Sequence, residues 1–386
     1  MITTFKNLTA NLSFLTLTLL LSAGCSLPLF AAEWHHEAVD PNSGGTYSSM
    51  RADTSGNLHL AYFDQLRGLL KYGFWDHRLR KWFNTTVDSS RGFCSLALDS
   101  KQNPHISYLV SGEGQMKYAH WNGTSWEKEV IHLRAKDISY YTSIVLDAAD
   151  NPIISYYEYQ GMGEDYSLQL REVEWKGKYW GGRTIDTTPG SGKFNAMASD
   201  SAGNIHAVYA NVKDENASLR YARWNGSVWV SEVLEGPAEG RANFPVFSVS
   251  IALDKKGQPH ITYTDVRNRI VKYATRRDGK WDLVKVDAMA DVAYPDRNGI
   301  AVDDDGTPYI SYYDAGAGVL KLAHRVNQRW FAEVVDQNSA GFTSSLQIDH
   351  GVIWLTYTDQ ISGILKFAYR AVDGSDPATA AAASSK

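Results

Sequence analysis

Seven units of 46 to 54 residues run from about residue 33 to residue 372, and this period limits the fold more than any other property of the chain. Each unit opens on a segment ending in Asp, such as Ser49–Asp53, Ser95–Asp99 or Ser250–Asp254. Turn-forming residues follow, as in Ser100–Pro104 and Lys255–Pro259. A second strand then reads like His105–Tyr108 or Ile310–Asp314, a third like Met116–Ala119, and a fourth begins at a Trp. Four short strands at this period predict a propeller blade. Six fourth-strand tryptophans (Trp82, Trp126, Trp180, Trp229, Trp281 and Trp330) serve seven units. The missing one opens the chain: Glu33–Asp40 matches Arg329–Asp336 in its Trp and its Glu-x-Val-Asp. The fold expected is all-β, a seven-bladed β-propeller of four-stranded blades whose N-terminal strand completes the last blade and removes the open edges.

Residues 1–32 differ from the repeats. Lys6 is their only charge, and Leu12–Leu21 is apolar but short for a membrane span, which predicts a signal peptide. Two cleavage readings stand: a lipobox-like Leu21–Cys25 that would carry a lipid anchor on Cys25, or cleavage near Ala31 or Ala32. The expected protein is a secreted, periplasmic or outer-membrane lipoprotein of a bacterium, monomeric, with no transmembrane segment once mature. Cys25 and Cys94 are the only cysteines, so no intrachain disulfide is expected. Residues 373–386 read as a disordered Ala/Ser-rich tail. A net charge of -5 argues against a nucleic-acid partner.

Residues shared by all blades serve the fold, so departures from the pattern are the candidates for function. The second-strand Tyr recurs in every unit (Tyr62 and Tyr108 to Tyr357), with Lys or Arg opposite on the third strand. This reads as packing with a snorkelling cation. His105 belongs to a partial consensus with His59, His206 and His260. His120 does not, and hairpin arithmetic places it directly across from His105. Two imidazoles so close depress each other's protonation and can share a proton or a substrate. No third ligand accompanies them, so no metal or other cofactor is expected. Tyr156 and Arg171 are 15 residues apart, against 9 in five blades, which lengthens one hairpin through Gln160–Asp165. Arg91, Lys136, Lys193, Arg241 and Arg297 precede five of the inner strands, with Asn195, Asn298, Tyr140, Tyr141 and Tyr294 nearby. A cationic, aromatic-lined funnel of this kind suits an acidic polysaccharide.

The chain resembles the seven-bladed propeller polysaccharide lyases, particularly those that cleave ulvan, over roughly Glu33–Arg370. His105 and His120 match the paired histidines of that family. Tyr156 with Arg171 matches its Tyr–Arg element through the long hairpin, and Tyr209 with Arg220 is the other match. The resemblance implies β-elimination at a uronate. Arg171 would neutralise the carboxylate, His105 or Tyr156 would take the C5 proton, and Tyr156 or His120 would protonate the leaving oxygen. A non-catalytic, lectin-like propeller that binds glycans or proteins at the cell surface is the competing class.

Overall fold

Alternating apolar and polar residues, broken every few positions by Asp, Asn and Gly, allow strands of four to ten residues and little else. The computed structural model describes residues 33–375 except position 91 and the stretches 111–114, 132–136, 161–166, 201, 213–216, 237–245, 293–296 and 338–339. The expected leader and most of the expected tail lie outside the described residues. So does most of the lengthened hairpin's loop. Among the described residues there are 28 strands in seven antiparallel sheets of four. No helix is long and apolar enough to cross a membrane.

Blades 1 to 6 use consecutive strands, beginning at Thr46, Cys94, Asp137, Ser191, Val246 and Gly299. Blade 7 takes Ala340–Asp349, Val352–Asp359 and Leu365–Ala371 from the end of the chain and His35–Ala38 from its start. His35 pairs with Tyr369, and Ala38 with Lys366. Trp34 packs on the blade 6/7 core, with the Arg370 guanidinium 4.9 Å from its ring. The ring is therefore closed by the displaced strand that the sequence predicts.

Two recurring devices hold the blades in register. The Asp that ends each inner strand caps its turn: Asp99 accepts the N–H of Lys101 and of Asn103 and the Asn103 side-chain amide. The residue three after that Asp takes φ > 0, as Gly at Gly203 (φ +80) and Gly257 (φ +73), and as Gln102 (φ +67) and Asp150 (φ +62) in blades 2 and 3. The consensus inner-strand Ser joins blade to blade. The hydroxyls of Ser49, Ser95, Ser143 and Ser345 accept the N–H of Leu96, Ile144, Met197 and Met50 in the next blade. Buried apolar clusters fill the spaces between sheets. One joins Met116, Tyr118 and Ile131 of blade 2 to Ile144, Tyr156 and Val173 of blade 3.

Candidate functional site

All seven tyrosine–cation pairs lie directly across the ladder from each other, Tyr156 opposite Arg171 and Tyr209 opposite Arg220 among them. Six of them hold something the sequence reading missed, a carboxylate from the outer strand of the preceding blade. Tyr108 donates to Asp88 at 2.7 Å and Lys117 at 3.1 Å. Tyr209 and Arg220 donate to Asp186 at 2.6 and 2.7 Å. Glu235, Asp287 and Asp336 take the same role for blades 5, 6 and 7, and Asp40 does so for blade 1. The acid always stands six residues after the outer-strand Trp.

Blade 3 departs from this rule. Six residues after Trp126 the sequence carries His132, which lies outside the described residues. Among the described residues no carboxylate reaches Tyr156 and Arg171 from blade 2. Arg171 instead faces Glu158 on its own sheet, Nε to Oε2 3.3 Å, and neither atom forms a hydrogen bond there. Tyr156 and Glu158 are buried, while the Arg171 side chain is 27% exposed, against 12% for Arg220. Burial raises the Tyr156 phenol above its ordinary value and Arg171 opposes the rise. In the other six, burial and the accepting carboxylate both push the phenol upward. The strands behind the site are also longer, pairing on to Gln160 and Ser167.

His105 and His120 are cross-strand partners with stacked rings 5.6 Å apart. The Tyr118 hydroxyl donates to His105 Nδ1 at 2.5 Å, and His105 Nε2 lies 3.6 Å from Asp99. The same His–Tyr bond occurs at His59, His206 and His260, so this part of the arrangement belongs to the blade. Burial lowers the His105 pKa, Asp99 raises it and His120 lowers it. His120 shares its blade position with one other described imidazole, His324, which stacks on Tyr309 of blade 6. His120 stacks on Tyr118 with Nε2 3.4 Å from Glu127, and its buried Nδ1 has no hydrogen bond among the described residues.

Tyr118 touches Trp180 of blade 3 at 5.4 Å, so the histidine face of blade 2 looks into the groove that carries Tyr156 and Arg171. The two pairs sit at different heights in it. Trp180 pairs with Trp175, four residues beyond Arg171, a separation of about 13 Å along the strand. One groove therefore holds both elements without bringing them to one point.

The expected aromatic-lined funnel is described only in part, and within it Tyr141 needs correction. Arg91, Lys136, Arg241 and Tyr294, with the side chain of Tyr140, lie outside the described residues. Tyr141 is buried, packed between Phe93 at 4.7 Å and Phe194 at 4.8 Å, so its faces are taken by protein. The Lys193 ammonium lies 5.2 Å from the Phe194 ring. Asn298 donates to Thr264 and Asn195 accepts from Ser155, which ties both amides to a neighbouring sheet. Arg297 lines the central cavity.

No family model matches the chain, and no curated protein matches it. Solved structures do resemble it. A PL25 ulvan lyase bound to GlcA(1-4)Rha3S is 12% identical with a TM-score of 0.56, over 86% of this chain and 94% of that one. The polysaccharide lyase Uly1 is 9% identical, TM-score 0.51, over 84% and 89%. The β-propeller domain of Cps50 (Swd1) from Myceliophteria thermophila is 12% identical, TM-score 0.54, over 86% and 99%. At these identities the likeness establishes the propeller fold, which the ulvan lyases share.

Proposed function

We propose that the chain acts on an acidic polysaccharide in the groove between blades 2 and 3, by β-elimination at a uronate. The observation that carries this reading is the seventh tyrosine–cation pair. Six equivalent clamps of Tyr with Lys or Arg close on a carboxylate of the protein; the seventh keeps its hydroxyl and cation, but the sequence carries His132 where that acid stands. A uronate carboxylate presents the same group to the same donors, and the Arg171 Nε–H makes no hydrogen bond among the described residues. Similarity to lyase propellers adds weight, although Cps50 (Swd1) fits comparably well.

Neutralising the carboxylate acidifies the C5 proton. A base removes that proton, a C4–C5 double bond forms, the C4–O bond breaks, and the departing oxygen takes a proton. A buried Tyr156 that retains its proton suits the last step. His105 and His120 stand at another height in the groove from Arg171, so the base is assigned by experiment among the histidines of this part of the sequence. His105 is engaged by Tyr118 and Asp99, so comparison of His120→Ala with His132→Ala identifies it. Arg220 and Tyr209 already hold Asp186 and contribute support rather than chemistry.

The test is the ultraviolet absorbance of the new double bond when purified protein meets uronate-rich sulfated polysaccharides. Loss of that signal in Arg171→Ala, with folding intact, supports the lyase. Recurrence of the His105–Tyr118 bond in three other blades favours the binding-only reading. Wild-type protein that retains such polymers and never yields unsaturated ends would establish it.

A further inference from the structure

The inner strands of all seven blades surround a central cavity of about 600 Å³, whose lining includes none of His105, His120, Tyr156 and Arg171. Two of its lining residues break the repeat. Arg51 stands where the other inner strands carry Ala97, Val145, Ala198, Ala252, Ala301 and Gln347. Arg297 stands where blades 1 to 4 carry Tyr47, Phe93, Tyr141 and Phe194, rings that pack against one another in sequence at 4.1 to 4.8 Å. A blade needs neither cation at these places.

The surroundings favour an anion. Arg51 gives one N–H to its neighbour's carbonyl, Met50 O at 2.8 Å, out of five that a guanidinium carries. Among the described residues the charge acting on it is another cation: burial first, then Arg297, pull the Arg51 guanidinium down to about 10. The acids of the lining are committed elsewhere. Asp147 caps its turn through Ala149 and Asn151, and Asp150 accepts both the N–H and the hydroxyl of Ser100. The wall also holds Ser49, Ser95 and Ser143, whose oxygens accept backbone N–H groups and whose hydroxyl protons remain to be donated. Arg51 thus keeps N–H donors for which the described residues supply no acceptor, and it faces this polar wall.

We infer that the central channel binds a small oxyanion, of sulfate or phosphate chemistry, between Arg51 and Arg297. The site is independent of the uronate reading, and it stands or falls without any assay of cleavage.

Titration calorimetry of the full chain in chloride buffer tests it, with inorganic sulfate as the free anion and a sulfated monosaccharide as the ester. Saturable binding of sulfate marks a free-anion site, and binding of the sugar alone marks an ester site. Arg51→Gln and Arg297→Gln should each weaken that binding by about 10- to 100-fold, the loss of one charged hydrogen-bonding partner. Removing a repelling charge should also leave the anion-free melting temperature of Arg51→Gln at or above the wild-type value. Failure of both probes to bind wild-type protein overturns the inference. So does binding by either variant at wild-type strength.

Discussion

Blades 3 and 4 carry the same pair of residues, Tyr opposite Arg, and use it differently. In blade 4 Tyr209 and Arg220 close on Asp186, and the groove is satisfied by the protein itself. In blade 3 the same two donors meet no acid from blade 2 among the described residues, and Arg171 is left with an unaligned contact to Glu158. The repeat makes the second case interpretable. Six filled clamps define what the donors accept, and the unfilled one inherits that preference. On the proposed reading, function comes from withdrawing a partner from the repeated clamp.

Four measurements break or sharpen this contrast. The largest effect is expected from Tyr156→Phe, which should lower the rate of uronate elimination by about 10²- to 10⁴-fold, the range for a lost general acid. Tyr209→Phe should leave that rate unchanged; equal losses in the two variants would erase the distinction between blades. Next, Asp186→Ala should cost about 3–5 kcal/mol in denaturant unfolding, because it strands a buried guanidinium and phenol. His132→Ala, which removes no such acid, should cost less than about 0.5 kcal/mol. Third, His132→Asp restores the repeat's acid. It should stabilise the fold by about 0.5–1.5 kcal/mol and weaken retention of a uronate-rich polymer about tenfold or more. Unchanged retention would remove the argument for a carboxylate subsite.

The smallest effect is in pH dependence. Burial works to raise the Asp186 carboxyl, but Tyr209, the Thr188 N–H and hydroxyl, and Arg220 outweigh it and hold the pKa below the ordinary value. A folded-state pKa below the unfolded one gives stability that is complete above about pH 4 and lost as pH falls through the folded value. Acid unfolding of Asp186→Asn should therefore be shallower than wild type by up to one proton, about 1.4 kcal/mol per pH unit. An unchanged slope would mean that the blade 4 clamp does not depend on charge.

Much of this was legible in the sequence. Strand order, the displaced first strand and the pairing of His105 with His120 all follow from spacing, because cross-strand register is set within one hairpin. The acid acceptor was missed because it comes from the preceding unit, and comparing positions within a unit does not reveal contacts between units. The signal was present even so: an acid six residues after the Trp in six units, and His132 in the seventh. The level of each pair in its groove is also a matter of spacing. The three-residue offset between His105 and Tyr108 predicts opposite sides of a sheet, and it equally forces the two levels now seen in the blade 2/3 groove. Tyr141 was misread for a related reason, since one ring in a strand does not announce the neighbouring rings that cover it.

The strand His35–Ala38 and the acid Asp40 just beyond it serve two joints at once, the outer edge of blade 7 and the clamp of Tyr62 and Lys71 in blade 1. During synthesis that segment emerges long before its partner, Leu365–Ala371, which lies six blades further along the chain. Six blades can stack while the head of the chain waits. Locking the toroid therefore waits for the last strand of blade 7, and a product truncated before Leu365 would leave both joints unfastened together.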